Sequence, residues 1–225
     1  MKTIGEDGEA RSISTAEFEA YLKDIRRQQM AAAMEAAALL PVPISADDMG
    51  GLLARYGDNG TRVLLFDCIV AKYPTTPEAY ADGLRFAYTT ANSPFGRDGT
   101  LRMFAAVKDR RLFMDEDELR DYDAMPDAVR VFRGCNRSEL RRRVFGCSWT
   151  TRQDIAEFFA WRLNAQDSSR IVVATDIPKA AVLAYFNGRT EYEVIADIHG
   201  GSAQDYATIE QPTQLYWDYM GTPRY

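Results

Sequence analysis

The stretch VRVFRG at residues 129–134 decides how the second half of this chain folds. Its two valines and its phenylalanine are typical of a buried β-strand. The stretch closes with an arginine and a glycine, and the sequence predicts a buried strand over residues 129–135.

Two further stretches place polar residues at predicted strand boundaries. FGCSWTT at residues 145–151 predicts a strand that runs into a helix start, with Ser148 at the boundary. NGRTEYEVI at residues 187–195 predicts a turn followed by another strand, with Glu193 at its start. An arginine, a serine and a glutamate thus follow one another at the edges of three separate strands. This order is far more specific than any one of the three motifs alone.

At this point the chain resembles the mono-ADP-ribosyltransferases of the arginine–serine–glutamate class, including their toxin-like and phage-like members. The resemblance covers roughly residues 129–198. It rests on three segments, which are Phe132-Arg133-Gly134, Ser148-Trp149-Thr150 and Glu191-Tyr192-Glu193. The chain departs from the class at Trp149, where a small hydroxyl residue is usual.

The resemblance implies an ADP-ribosyltransferase-like mixed β-sandwich core and NAD as the substrate. The implied reaction transfers ADP-ribose to an acceptor and releases nicotinamide. In this class a Glu-x-Glu motif goes with arginine acceptors, so we expect the partner to be a protein with a target arginine. Arg189 and Tyr192 lie in the same turn and are candidates for contacting that protein.

Four residues receive roles from the resemblance and from the chemistry of breaking a nicotinamide–ribose bond. Glu193 would stabilise the positive charge that develops on the sugar. Arg133 would bind the pyrophosphate, because a guanidinium stays charged and presents forked donors. Gly134 lacks a side chain, so its backbone could approach the nicotinamide amide closely. Ser148 would orient Glu193 by a hydrogen bond.

The remaining candidates complete the NAD site. Thr150 belongs to the middle motif, and either Phe159 or Trp149 would stack on nicotinamide, with Phe159 favoured by family analogy. If the backbone is extended at residues 191–193, the carboxylates of Glu191 and Glu193 project to one face. Glu191 would then serve as a base or an orienting group for the acceptor nucleophile.

Other readings of the same residues remain open. Water as the acceptor would make the protein an NAD glycohydrolase. The basic segment at residues 137–143 is either a solvated face or a patch that contacts an anionic substrate. Such a patch leaves nucleic acid open as an alternative acceptor. The departure at Trp149 supports a non-enzymatic alternative, a degenerate NAD-binding interaction module.

Composition limits the choice of class and partner. The 225 residues suit one larger domain or two small ones, and the net charge of −6 does not indicate a global attraction to nucleic acid. Cys68, Cys135, Cys147 and the single histidine, His199, lack metal-ligand spacing, so no metal is expected. No apolar run approaches the ~18 residues of a membrane span. We expect a cytoplasmic protein, in the host cytoplasm if it is a delivered or phage-borne effector.

The order of predicted elements gives an α+β fold, with a helical subdomain at residues 1–125 and a catalytic NAD-binding core at residues 126–225. Ser14 and Glu17 form a capping box at the first helix, and Pro77 occupies the first turn of a later one. In the core, a helix after Thr151 is expected to bury a stripe that includes Leu163. The aromatic tail, which includes Tyr216, Trp217, Tyr219 and Tyr225, is expected to pack back on the core.

Overall fold

The computed structural model describes residues 2–4, 10–12, 14–91, 96–188, 190–198 and 206–221. Arg189, His199 and Tyr225 lie outside these ranges. The chain divides into two compact units, Met1–Pro94 and Phe95–Tyr225. The expected boundary between residues 125 and 126 falls inside the second unit, because the helices before it pack against an edge strand of the sheet.

The first unit is mainly helical. Its elements are β1 (Lys2–Ile4), β2 (Ala10–Ser12), α1 (Thr15–Ala38), α2 (Ala46–Tyr56), α3 (Arg62–Lys72) and α4 (Pro77–Thr89). The predicted capping box is confirmed, since the Ser14 side chain accepts from the Glu17 N–H and the Glu17 carboxylate accepts from the Ser14 N–H at 2.8 Å. The Thr76 side chain caps α4, with Pro77 at its start as predicted. The large apolar side chains buried in this unit include Leu53, Phe66, Ile69 and Leu84.

The second unit combines helices with a sheet. Its helices are α5 (Arg97–Ala105), α6 (Glu116–Ala124), α7 (Arg137–Arg142), α8 (Gln153–Trp161) and α9 (Gln214–Gly221). Its strands are β3 (Ala128–Asn136), β4 (Ser148–Thr150), β5 (Arg170–Pro178), β6 (Val182–Phe186), β7 (Glu193–Ala196) and β8 (Ala207–Ile209). Short 3-10 turns lie at Arg110–Phe113 and Lys179–Ala181.

The sheet has the strand order β6-β7-β4-β3-β5-β8 in the described part of the chain, and its registered pairs are antiparallel. The α+β class is therefore confirmed. The expected mixed β-sandwich differs from what is observed, which is one antiparallel sheet. The reason is that β3 pairs with β4 on one side and with β5 on the other, which joins all the strands.

The junction between β3 and β4 is the weakest part of this sheet. β3 pairs with β5 along its whole length, from Ala128–Pro178 to Asn136–Arg170. Between β3 and β4, the described residues register only at Phe132–Thr150. The sheet therefore nearly divides here into β6-β7-β4 and β3-β5-β8, and we call this junction the seam.

Helix α8 packs on β3 and β5, and α9 packs on α8. Tyr216 on α9 is buried against Trp161, with ring centroids 6.5 Å apart, so the tail returns to the core at this residue as expected. Trp217 is half exposed instead. The expected burial of Leu163 is wrong: α8 ends at Trp161, and Leu163 is 93% exposed. Among the described residues, no helix combines the length and the apolar character needed to cross a bilayer.

Candidate functional site

A pocket of about 230 Å³ lies at the seam between β3 and β4. Its lining includes every residue that the sequence proposed for the site. These are Arg133, Gly134, Ser148, Trp149, Thr150, Phe159, Glu191 and Glu193. The lining also contains residues that sequence reasoning did not propose, namely Phe132, Ile155, Ala156, Arg162 and Arg170.

The pairing of β4 with β7 brings Ser148 to Glu193. Ser148 registers with Ile195, and Thr150 registers with Glu193, so the two strands run side by side at the pocket. The Ser148 hydroxyl donates to Glu193 Oε1 at 2.5 Å. Glu193 is only 7% exposed, and this bond fixes its orientation in a place where water has little access. The expected hydrogen bond between these two residues is confirmed.

The Arg133 side chain lies where the pairing between β3 and β4 stops. Its Nη1 donates to the Ser148 carbonyl oxygen at 2.7 Å. Its Nε and Nη2 donate to Glu139 Oε2 at 3.3 and 3.1 Å. The guanidinium thus ties the two sides of the seam together and is neutralised by a carboxylate. A continuous chain of contacts runs from Glu139 through Arg133 and Ser148 to Glu193.

Glu139 was not proposed from the sequence. It lies in the basic segment at residues 137–143, where the arginines dominate the pattern. A local signal was nevertheless present, because Asn136 and Glu139 have the spacing of a capping box. The structure forms this box at the start of α7, and the Asn136 N–H donates to Glu139 Oε1 at 3.2 Å.

Two more arginines lie at the end of α8. The Arg170 guanidinium donates to the Ala160 carbonyl at 3.1 Å and to the Phe159 carbonyl at 3.3 Å, which satisfies carbonyls of the last helical turn. The Arg162 guanidinium carbon lies 5.1 Å from the centroid of the Phe159 ring. Arg162 is exposed, and no described carboxylate lies within ion-pair distance of it. It is therefore the better placed of these arginines to meet an anionic ligand.

The Trp149 ring is not available for stacking on a ligand. Successive side chains of a strand point to opposite faces, so Trp149 points away from Ser148 and Thr150. Its ring is 2% exposed and packs edge-on against Phe145 at 5.4 Å, and its Nε1 donates to the Gly146 carbonyl at 3.1 Å. Of the two aromatic candidates for stacking on a ligand, Phe159 is therefore the better placed, because it lines the pocket and is half buried.

The backbone around Glu191 is not extended, so the condition under which strand alternation would place both carboxylates on one face is not met. Thr190 and Tyr192 have φ values of 56° and 49°, in the left-handed region that residues with a side chain rarely adopt. Both Glu191 and Glu193 nevertheless line the pocket. A turn at Tyr192, rather than the alternation of an extended strand, brings the two carboxylates to the same pocket.

This loop is fixed to β4 and α8 by several contacts. The Thr150 hydroxyl donates to the Glu191 carbonyl at 2.7 Å, and the Thr151 N–H donates to the Tyr192 carbonyl at 3.2 Å. The Arg152 guanidinium carbon lies 5.1 Å from the centroid of the Tyr192 ring. The Thr150 hydroxyl, expected to contact the cofactor, therefore serves to hold the loop.

Gly134 has a packing role that the sequence did not indicate. The predicted strand at residues 129–135 is confirmed as part of β3, so the strand does not end at Arg133, and Gly134 registers with Val172. A Cβ atom at Gly134 would lie 2.4 Å from the carbonyl oxygen of Ala156, in the backbone of α8. The missing side chain lets α8 approach β3, and this approach brings Phe159 to the pocket.

The two cysteines beside the site are buried. Burial raises the pKa of Cys135 to about 12, and burial also raises the pKa of Cys147. Both thiols are therefore neutral near pH 7, where a thiolate nucleophile would need the opposite shift.

A scan of protein-family models, a search of curated proteins and a search of solved structures each find no match to this chain.

Proposed function

We propose that this protein is a mono-ADP-ribosyltransferase, which transfers ADP-ribose from NAD to an arginine of an acceptor protein and releases nicotinamide. The observation that carries the proposal is the hydrogen bond from Ser148 to the buried Glu193 carboxylate, in a pocket that also holds Arg133, Phe159 and Glu191. An oriented, poorly hydrated carboxylate is what a positively charged sugar transition state requires.

Glu193 would act on the sugar. As the bond between the ribose C1′ and the nicotinamide nitrogen breaks, its electron pair leaves with neutral nicotinamide and C1′ gains positive charge. The Glu193 carboxylate, held by Ser148, would stabilise that charge without having to reorient.

Glu191 would act on the acceptor. The guanidinium nitrogen of the target arginine forms the new bond to C1′, and the proton that it loses passes to Glu191 and then to solvent. A protonated guanidinium is a poor nucleophile, so a carboxylate on the acceptor side of the pocket serves the reaction.

The size of the pocket favours a site for only one half of NAD. A volume of about 230 Å³ is smaller than the ~300–1,000 Å³ of sites that enclose a drug-sized ligand, so it suits the nicotinamide-ribose half. Phe159 would stack on nicotinamide. The diphosphate would then lie at the rim near Arg162, while Arg133, already paired with Glu139, would mainly hold the seam together.

Label transfer tests this function and separates it from its alternatives. The protein is incubated with NAD labelled in the adenylate part, with no acceptor, with an arginine-rich protein or with nucleic acid. We expect label on protein arginines, located by mass spectrometry, together with nicotinamide release. Label on nucleic acid would make nucleic acid the acceptor in place of a protein arginine. Nicotinamide release without any transfer would make water the acceptor. NAD binding without turnover would favour a non-enzymatic module.

Variants at Glu191 sharpen this comparison. Glu191→Ala should lower arginine transfer by about 100-fold, because the acceptor loses its base, while NAD hydrolysis falls much less. The exposed Glu116 on α6 offers a control, since Glu116→Ala should leave both rates unchanged. Equal losses of transfer and hydrolysis in Glu191→Ala would contradict the role given to this residue.

A further inference from the structure

A buried carboxylate lies outside the pocket, on α6. Glu118 has 0% exposure, which is unusual for a glutamate. Its Oε1 accepts the backbone N–H of Asn187 at 2.9 Å, and its Oε2 accepts the backbone N–H of Asp115 at 3.1 Å. A carboxylate is kept out of water only where hydrogen bonds compensate, so the contact with Asn187 is part of what holds Glu118 there.

The same helix also holds the side chain of Asn187. Its Nδ2 atom donates to Asp121 Oδ2 at 2.7 Å. Glu118 and Asp121 are three residues apart on α6, so they lie on the same face of the helix. One helix face thus fixes both the backbone and the side chain of the residue that follows β6.

Asn187 begins the turn that leads to Glu191. Its carbonyl accepts the N–H of Thr190 at 2.7 Å, and Thr190 has the left-handed φ of 56°. At the other end of the turn, Thr150 holds the Glu191 carbonyl. Left-handed residues with side chains persist where their surroundings fix them, and here the turn is fixed at both ends.

We infer that Glu118 is a positioning residue that fixes the Asn187 end of this turn and thereby the place of Glu191 in the pocket. Its consequence for catalysis rests on the proposed function. A turn released at Asn187 would hold Glu191 less firmly against the acceptor, so water would compete better with the target arginine. Glu118 would thus control the partition between transfer and hydrolysis without touching either substrate.

Hydrogen exchange tests the anchor independently of any activity. Glu118→Ala removes the acceptor of the Asn187 N–H and also part of the cap of α6. Asp115→Ala is the matched control, because it weakens the same cap while leaving Glu118 in contact with Asn187. We expect exchange at Asn187 to accelerate about tenfold or more in Glu118→Ala and to change little in Asp115→Ala. Amides of β3 and β5 should be unchanged in both variants.

If Glu118→Ala does not fold, Glu118→Gln replaces it. This variant keeps the size of the side chain and replaces the charged acceptor of the Asn187 N–H by a neutral and weaker one. Faster exchange confined to the turn is again the expected result. Unchanged exchange at Asn187 in the folded variant would overturn the inference.

Kinetics test the positioning role. Glu118→Ala should lower the ratio of arginine transfer to NAD hydrolysis by about tenfold, with KM for NAD changed by less than about twofold. Asp115→Ala should show the same ratio of arginine transfer to NAD hydrolysis as the unaltered protein. A parallel fall of both rates, in proportion to the folded fraction, would reduce Glu118 to a structural residue and overturn its positioning role. If the unaltered protein turns over no NAD, the proposed function fails, whereas the exchange result still decides whether Glu118 anchors the turn.

Discussion

The hydroxyl of Ser148 donates a 2.5 Å hydrogen bond to Oε1 of Glu193, across the pairing of β4 with β7. The two residues are 45 positions apart in the sequence. Ser148 also accepts a bond from Arg133 through its carbonyl, so one residue links the guanidinium of the seam to the carboxylate of the pocket. The catalytic proposal depends on this link.

Loss of the Ser148 hydroxyl should affect catalysis more than binding. In Ser148→Ala, Glu193 keeps its charge but loses the bond that orients it. We expect kcat for nicotinamide release to fall about 10- to 100-fold, with little change in KM for NAD. Ser138→Ala, a serine substitution on α7, is the control and should leave both constants unchanged. A Ser148→Ala variant with raised KM and normal kcat would argue against an orienting role.

Removal of the Glu139 carboxylate should destabilise the seam. The Arg133–Glu139 pair has side chains only 21% and 20% exposed, so Glu139→Gln should cost about 1–3 kcal/mol in the free energy of unfolding, measured with urea. The Arg137–Glu210 pair has the same 3.1 Å separation but exposures of 37% and 58%. Glu210→Gln should therefore cost less than about 1 kcal/mol. Equal losses of stability in the two variants would mean that the Arg133–Glu139 pair stabilises the fold no more than the exposed Arg137–Glu210 pair does.

A methyl group at Gly134 should push α8 away from β3. In Gly134→Ala the new Cβ would meet a backbone oxygen at 2.4 Å, which a side-chain movement cannot relieve. We expect a loss of about 1–3 kcal/mol of stability, measured by thermal and urea unfolding. Gly50→Ala is the control, because nothing lies within 4 Å of the added Cβ and the residue is inside α2. Gly50→Ala should stabilise the folded protein by about 0.5–1 kcal/mol. A Gly134→Ala variant with unchanged stability would contradict the close packing of α8 on β3.

The buried thiol of Cys135 should make stability fall at high pH. Its folded pKa of about 12 lies above the ordinary thiol value of about 8.5, so burial favours the protonated form. Its contribution to stability is complete below about pH 8.5 and is lost as the pH rises towards 12, because only the unfolded chain ionises in that window. Urea unfolding at pH 8, 9.5 and 11 should show this decline. In Cys135→Ala the decline should be shallower, and an identical slope would remove Cys135 as a cause.

Features encoded in neighbouring residues could be predicted from the sequence. The capping box at Ser14 and the place of Pro77 at a helix start depend on residues within one helical turn, and both form as expected. The buried strand at residues 129–134 was also evident, because its valines need no distant partner to favour a strand. Ser148 and Glu193 each begin a strand, as the local sequence predicted, whereas Arg133 lies inside β3.

Features that depend on distant contacts could not be predicted. Trp149 is buried because the face of β4 opposite Ser148 meets Phe145, which the motif itself does not reveal. The left-handed turn at Tyr192 is held by Thr151, which lies 41 residues away in the sequence. The apolar period of α8 includes Leu163, but the helix ends at Trp161 and the chain turns back into β5.

The most direct test of the central claim compares the unaltered protein with Glu193→Gln, by calorimetric titration with NAD and by an assay of nicotinamide release. The substitution keeps the size of the side chain and removes its charge. We expect NAD to bind both proteins with similar affinity, and nicotinamide release to fall by about 100-fold or more in the variant. Nicotinamide release at the unaltered rate from Glu193→Gln would contradict the claim that this carboxylate stabilises the breaking bond.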